Sequence, residues 1–347
     1  MNSQDIHSLS EFLLHAGTDY RIFDLGRGVY PVDSQTFLEI ENGKICPPRP
    51  RQQHAWYAVV FWNTSALAQR YIWFVKFPLD EQGLLIQASR NHFLQIIVDA
   101  LGNQITGDGD QEKLPDNPYT FTPSQQQMAQ FSAITRHTLN DAKHDGVERV
   151  MHYLKTPSVI DWQQLPVQAI ADAVIELDET TADVIANQLD QYSTPFIDTL
   201  LSSLESQPLP ERLIQKFCEK AVEYSTAEDT APMHGYLRAL SQTSFSPEVN
   251  RCINQVLDNI DTPDIDLLSV IAARHDAQLD LLTAQRFLEV AAKADAAGNY
   301  QHQLFIGLFS DLVQIPALRR TLLTLAKAHQ HNPAMKDALA ALFKQAG

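Results

Sequence analysis

Residues 56–62 read Trp-Tyr-Ala-Val-Val-Phe-Trp, and residues 71–75 read Tyr-Ile-Trp-Phe-Val. Short runs rich in aromatic and β-branched side chains predict two buried strands. After about residue 120 no comparable run occurs, and apolar residues recur instead at intervals of three and four, which is the pattern of helices. The change predicts an α+β amino-terminal domain followed by an all-α helical array.

The flanking segments predict the other elements of this domain, in the order α-β-β-α-β-β-α. We expect a helix at 3–16, strands at 20–25 and 29–32, a short helix ending at 42–43, strands at 54–62 and 70–77, and a helix at 84–101 closed by Gly102. This order favours an antiparallel sheet covered by helices on at least one face. Gly26-Arg27-Gly28 predicts a hairpin turn and not a phosphate-binding loop, because an extended segment follows it where a helix would be needed.

The first of the two long strands is apolar on both faces. Every residue from 56 to 62 is apolar, so side chains on either side of the sheet need cover. Helices on one face alone would leave an exposed aromatic patch on the other. We expect the helical array to supply the cover. The alternative is a second copy of the chain, which would give a homodimer through the amino-terminal domain.

The joint between the two parts is rich in glycine, proline and aspartate. A segment with so little to bury is typical of a linker or a surface loop. We therefore place the α+β domain at 1–104, the linker or surface loop at 105–122 and the helical array at 123–347.

Seven prolines in the array lie at positions expected to be first turns of helices. A proline there loses no hydrogen bond, because the first backbone N–H groups of a helix have no partner within it. They are Pro195, Pro208, Pro232, Pro247, Pro263, Pro316 and Pro333. Capping side chains precede four of them, at Thr194, Ser246, Thr262 and Asn332. The spacing suits a helix plus a short turn, and two such units have the size of a helical repeat. We predict an irregular HEAT-like helical-repeat array of about twelve to fourteen helices, with a compact multi-helix domain as the alternative.

The composition restricts the class of partner. Twenty-six basic residues oppose forty-two acidic ones, for a net charge of −16, so nucleic acid is not an expected partner. The longest unbroken apolar run, residues 55–62, is too short to span a membrane, so no membrane partner is expected either. Cys46, Cys218 and Cys252 form no CxxC pair, which favours reduced thiols and a cytoplasmic location.

The sequence between Lys155 and Arg212 contains ten acidic residues and no lysine, arginine or histidine. Spacings of three and four place several carboxylates on one helical face, where they repel one another unless cations compensate. This pattern predicts a docking strip for a basic segment of another protein. The alternative is a solvated face that aids solubility. The candidate partner-binding residues are Asp172, Glu176, Asp178, Glu179 and Asp183.

A second cluster combines imidazoles and carboxylates at spacings of three and four, namely His137, Asp141, His144, Glu148 and His152. These side chains suit a metal ion. Gly146 is expected to break the helix, however, and a polar exposed face is the favoured interpretation. The common catalytic signatures, such as GxSxG, HExxH and the P-loop, do not occur in the sequence. We therefore predict no catalytic residues, no cofactor and no metal.

Three segments resemble a bacterial family known only as a domain of unknown function, and the resemblance covers nearly the full length. They are Arg-Ile-Phe-Asp-Leu-Gly-Arg at 21–27, Phe-Leu-Glu-Ile-Glu at 37–41, and the segment from Tyr71 to Gly83. The resemblance implies a protein of the bacterial cytoplasm built as one integrated unit. It implies no activity, cofactor or site residue.

These observations favour a non-enzymatic protein that interacts with other proteins, or an adaptor, using the acidic surface of its helical repeats. The alternative is an enzyme or a small-ligand binder with its site between the two domains, because pockets often form at domain boundaries.

Overall fold

A computed structural model describes residues 8–63, 69–106, 115–241, 244–260, 264–328 and 332–346 of the chain. The chain divides into two compact units, which are residues 1–123 with 314–317, and residues 124–313 with 318–347. The start of the first predicted helix and most of the predicted linker, at 107–114, lie outside the described residues.

The amino-terminal unit contains the predicted order α-β-β-α-β-β-α, which is confirmed. Its elements are α1 (Leu9–His15), β1 (Thr18–Asp24), β2 (Tyr30–Val32), α2 (Ser34–Glu41), β3 (His54–Asn63), β4 (Arg70–Pro78) and α3 (Gln87–Thr106). The four strands form one antiparallel sheet in the order β2-β1-β3-β4. The long strand β3 therefore lies in the interior of the sheet, as its apolar composition requires.

One face of the sheet carries the core of this unit. Tyr57 and Phe77 are fully buried there, together with apolar side chains of all three helices. The ring of Phe37 on α2 meets Tyr57 edge-on at 5.1 Å, and Phe93 on α3 meets Phe77 at 5.8 Å. Aromatic rings prefer such edge-to-face contacts because their edges and faces carry opposite partial charges.

The opposite face of the sheet is also buried at its centre. Phe23, Ala58 and Val60, which share this face by alternation, are each 0% exposed in the single chain. Near one end of this face, Phe121 packs edge-on against Trp56 at 4.8 Å and against Phe74 at 5.9 Å. The central residues of this face are therefore buried within the single chain.

The loop from β1 to β2 is a hairpin connection, as predicted. The Asp24 carboxylate accepts a hydrogen bond from the Gly26 amide at 2.8 Å. Arg27 turns inward, is 1% exposed and donates from Nε to the Pro50 carbonyl at 2.8 Å. A side chain at Gly26 would collide with the backbone carbonyl of Arg49, so the turn requires glycine there.

The second unit is helical throughout its described residues. Its α-helices are α4 (Gln125–Thr138), α5 (Val147–Lys155), α6 (Val167–Ala173), α7 (Glu179–Gln188), α8 (Thr194–Leu204), α9 (Glu211–Ser225), α10 (Ala231–Ala239), α11 (Pro247–Asn259), α12 (Ile265–Arg274), α13 (Leu281–Gly298), α14 (Gln303–Leu312), α15 (Pro316–Lys327) and α16 (Pro333–Ala346). The first two residues of α15, Pro316 and Ala317, belong to the amino-terminal unit. None of the helices within the described residues is both long enough and apolar enough to cross a membrane.

The helices of this unit pack in two rows. Odd-numbered helices contact the next odd-numbered helix from α5 to α13, and even-numbered helices contact the next even-numbered helix from α4 to α14, with α14 contacting α16. Successive helices therefore alternate between the rows. The contacts of α4 with α8 and of α13 with α16 depart from this alternation, so the array is irregular at both ends.

Several predicted helix boundaries are wrong. Helix α3 continues through Gly102 to Thr106, because a helix tolerates an interior glycine at a cost of only about 1 kcal/mol. Pro208 lies in the loop before α9, whose cap is Pro210. Thr194 is the first residue of α8 and not its cap, and Ser193, which occupies the N-cap position, makes no capping hydrogen bond with its side chain.

Other predicted boundaries are confirmed. Ser246 caps α11 by accepting from the Val249 amide, and the side chain of Asn332 accepts from the Met335 amide at the start of α16. Thr262 and Pro263 lie outside the described residues.

Candidate functional site

The five predicted partner-binding residues do not share one helical face. Asp172 lies on α6, while Glu179 and Asp183 lie on α7. Between these helices Glu176 lies in the connecting segment, and Asp178 forms the cap of α7. The acidic run is therefore divided over two helices and a turn, because α6 ends at Ala173.

Asp172 is buried at 1% exposure and cannot line a docking strip. Its two carboxylate oxygens lie 3.0 and 3.1 Å from Nη1 of Arg136 on α4. Oδ2 also accepts from the backbone amide of His144 at 2.8 Å, and Oδ1 accepts from Nε2 of Gln168 at 2.7 Å. A buried carboxylate needs such partners, so the role of Asp172 is to join α4, α6 and the loop between α4 and α5.

Two of the exposed acidic residues lie close to basic side chains of other helices. Glu176 Oε1 lies 3.2 Å from Nε2 of His137, and Asp183 Oδ1 lies 4.0 Å from Nε of Arg212. Ion pairs this exposed contribute about 0–1 kcal/mol each. They are weak enough for a cation of another molecule to replace the internal one.

Asp178 has a local structural role at the surface. Its carboxylate accepts from the Thr181 amide at 2.7 Å and so caps α7. Hydrogen bonding to Thr181 lowers the pKa of Asp178 below its usual value. Glu179 is exposed in the first turn of the same helix, where its negative charge also suits the helix dipole. Asp178 and Glu179 thus place two carboxyl groups at one exposed helix start.

The predicted His and carboxylate cluster does not form one stripe. Helix α4 ends at Thr138 and α5 begins at Val147, so the break includes the expected position Gly146. His144 lies in the break and accepts a hydrogen bond from the Gly146 amide on Nδ1 at 2.9 Å. Within the described part of the chain, no three His, Cys, Asp or Glu side chains are placed to hold a metal ion.

The two predicted clusters meet around a cavity of about 250 Å³. Arg136 and His137 belong to the last turn of α4, while Asp172 belongs to α6. The polar residues lining it are Arg136, His137, Asn140, Asp141, Lys143 and Asp172. The structure therefore brings one predicted site residue, Asp172, together with His137 and Asp141 of the other cluster.

A larger groove of about 640 Å³ lies between α9 and α11. Cys218 and Cys252 line it, and Cys252 Sγ donates to the Cys218 carbonyl at 3.8 Å. The hydrogen bond between the two thiols and their burial raise the pKa of Cys218. A thiol with a raised pKa is a poor nucleophile, so Cys218 is not suited to a reactive site.

Sequence reasoning missed the arginines that neutralise the acidic run. Glu205, at the end of α8, is buried, and its carboxylate lies 3.0 Å from Nε of Arg274 and 3.5 Å from Nε of Arg238. Both arginines come from later helices of the same row, α10 and α12. A search for counterions two helices away could have found Arg238, because next-but-one helices are neighbours in a two-row array. Arg274 lies four helices further along the chain than Glu205, beyond such a search.

Comparison with known proteins places both units in one family. The chain matches, over residues 4–343, the model of a family described as "Protein of unknown function (DUF3549)". No curated protein and no solved structure gave a significant match. Because the family model covers nearly the whole chain, the protein belongs to this family of proteins of unknown function.

Proposed function

We propose that the protein is a non-enzymatic interaction or adaptor protein whose HEAT-like helical array binds a basic segment of another protein. The two-row packing supports this proposal, because each row can present a continuous surface of helices to a partner. A cytoplasmic location belongs to the same proposal, and the buried free thiols of Cys218 and Cys252 suit a reducing compartment.

One observation carries the proposal. Glu176, Asp178, Glu179 and Asp183 are all exposed around the start of α7, within an array that has seventeen basic and twenty-eight acidic residues from 123 onwards. Such a surface attracts a cationic segment and speeds its association. The internal contacts with His137 and Arg212 are exposed, so a partner's lysine or arginine can replace these side chains at little cost.

Affinity capture from a lysate of the source cells tests the proposal at low and at moderate salt. The variant Glu179→Lys with Asp183→Lys reverses two charges on the exposed side of α7. The matched control, Asp266→Lys with Asp337→Lys, makes the same change in charge at exposed positions of α12 and α16. We expect the wild type and the control to retain a stoichiometric partner that the α7 variant loses, and binding should weaken as salt rises.

Two outcomes would contradict the proposal. The first is the absence of any stoichiometric partner at either salt concentration. The second is equal loss of the partner in both charge-reversed proteins, which would indicate an effect of net charge and not of the α7 surface.

A further inference from the structure

The cavity beside Asp172 has hydrogen-bond donors that the protein leaves unused. It measures about 250 Å³, and its wall includes the last turn of α4 and the loop that follows. This volume suits a small molecule or a single side chain. The charged residues that determine its chemistry are Arg136, Lys143, Asp141 and Asp172.

Arg136 is held in place by only one of its nitrogens. Nη1 donates to both oxygens of Asp172, at 3.1 and 3.0 Å. Within the described ranges, neither Nε nor Nη2 of Arg136 has a hydrogen-bond acceptor in the protein. The side chain is 35% exposed, so this edge of the guanidinium is accessible. A guanidinium edge with two parallel N–H groups matches the two oxygens of a carboxylate or phosphate group.

Asp172 cannot accept from this second edge as well. Its oxygens already receive hydrogen bonds from Arg136, the His144 amide and Gln168. The buried carboxylate therefore orients the guanidinium and balances its charge, while the remaining donors of Arg136 stay available. This is the arrangement of a positioned donor, because the geometry exists before any ligand arrives.

Lys143 supplies a second donor on the same wall. It is exposed, and its ammonium group has no ion-pair partner in the described part of the chain. Two cations on α9 do have partners, since Arg212 pairs with Asp183 and Lys220 pairs with Asp190. Lys143 and the second edge of Arg136 thus differ from these two cations in having no anion to bind.

The carboxylates near the cavity limit the charge of the ligand. Asp172 is neutralised by Arg136, and Glu176 is paired with His137 at 3.2 Å. Asp141 also lies on the wall, so the cavity is not strongly cationic. Binding there depends on the placement of donors more than on net charge, which favours an oxyanion whose two neighbouring oxygens can both accept from the guanidinium edge.

We propose that this cavity binds a small oxyanion, the carboxylate or phosphate group of a small molecule, through the free edge of Arg136 and the ammonium group of Lys143. His137 lines the cavity and also contacts Glu176 of the acidic surface, but Arg136 and Lys143, which would hold the oxyanion, take no part in that surface. A result at either site therefore leaves the other proposal standing.

Thermal melting of the full chain tests the site with acetate and with inorganic phosphate as separate probes, chloride being used to keep the ionic strength constant. A ligand that binds only the folded state raises Tm with a saturable dependence on its concentration. Saturation by acetate alone assigns a carboxylate ligand, and saturation by phosphate alone assigns a phosphorylated one. Saturation by both assigns a general oxyanion site.

The variant Lys143→Ala tests whether the probe anion binds in this cavity. Lys143 is exposed and makes no contact with Asp172, so its removal should not disturb folding. We expect it to weaken the apparent Kd about tenfold or more, as the loss of a charged hydrogen bond requires. The control Lys336→Ala, at an exposed position of α16, should leave the Kd unchanged. The proposal is overturned if neither probe saturates below about 10 mM, or if the two variants weaken binding equally.

Discussion

Nη1 of Arg136 lies 3.0 Å from Oδ2 of Asp172, although the two residues are 36 positions apart in the sequence. Their exposures differ, since the Arg136 side chain is 35% exposed and that of Asp172 only 1%. The pair is therefore asymmetric. Arg136 can be hydrated if it loses its partner, whereas Asp172 would remain buried without a counterion.

This asymmetry predicts an order of stabilities. Arg136→Met leaves a buried carboxylate unpaired and should reduce the free energy of unfolding by about 3–5 kcal/mol. Asp172→Asn leaves an arginine that can turn to solvent, and it keeps one oxygen as an acceptor, so the expected loss is about 1–3 kcal/mol. Urea denaturation of both variants measures the difference. A larger loss for Asp172→Asn would contradict the assigned burial.

The burial of Glu41 predicts that its contribution to the free energy of unfolding declines as pH rises. Glu41 is buried at the end of α2 and accepts from the Leu9 amide at 2.7 Å and from Ser10 Oγ at 2.6 Å. Burial raises the pKa of Glu41 above its usual 4.5, and the hydrogen bonds oppose this only in part. The folded state thus holds a proton that the unfolded state has released. The contribution is complete below about pH 4.5 and is lost as pH rises through the raised pKa.

Two variants test this dependence. Glu41→Gln removes the titration, so its unfolding free energy should fall less than that of the wild type as pH rises above 4.5. Ser10→Ala removes a hydrogen bond that lowers the pKa of Glu41, so its loss of stability should extend to higher pH. Wild-type and Glu41→Gln curves that run parallel over this range would refute the assignment.

His275 predicts the opposite pH dependence, in the helical unit. It is fully buried, and Nε2 lies 2.8 Å from the Leu237 carbonyl, which makes Nε2 the protonated nitrogen of the neutral ring. Burial lowers the pKa of His275 from 6.5 to about 4. The unfolded state binds a proton in this window and the folded state does not, so stability is complete above about pH 6.5 and falls by about 3 kcal/mol towards pH 4.

Denaturation of His275→Gln between pH 7 and pH 4 checks this value. Glutamine keeps a donor for the Leu237 carbonyl but does not titrate. The variant should therefore lose about 3 kcal/mol less than the wild type over this interval. A slope equal to that of the wild type would place the acid sensitivity elsewhere.

Two glycines predict opposite effects of the same substitution. Gly307 lies inside α14, and a Cβ there would meet nothing within 4 Å. Gly307→Ala should therefore stabilise the chain by about 0.5–1 kcal/mol. Gly26→Ala would bring a Cβ against the Arg49 backbone and should lower Tm. Thermal melting measures whether Tm rises for Gly307→Ala and falls for Gly26→Ala. A fall in Tm for Gly307→Ala would count against the described packing of α14.

The parts of the fold that follow from local chemistry were predictable. The order of elements in the first unit was visible in the hydrophobic pattern, because buried strands and amphipathic helices have different periods. The cap at Ser246 was equally local, since its hydroxyl accepts from an amide three residues ahead. The predicted helix end at Gly102 was wrong, because a glycine inside a helix lowers its stability without ending it.

The site depended on contacts that the sequence does not display. The acidic run appeared uncompensated because its cations, such as Arg212 and Lys220, belong to other helices. Asp172 could not be recognised as buried from its neighbours, since its main counterion lies on α4. Which charged residues pair over such distances depends on which helices are adjacent in space. The periodicity of the sequence does not show this adjacency.

The alternation of helices between two rows gives the array a parity. A single helix inserted or deleted between α5 and α13 would move every later helix to the opposite row, and the buried face of each would then meet the wrong neighbours. Two helices added or removed together would keep each remaining helix in its own row. Changes in the length of this array, whether natural or engineered, should therefore be tolerated in steps of two helices.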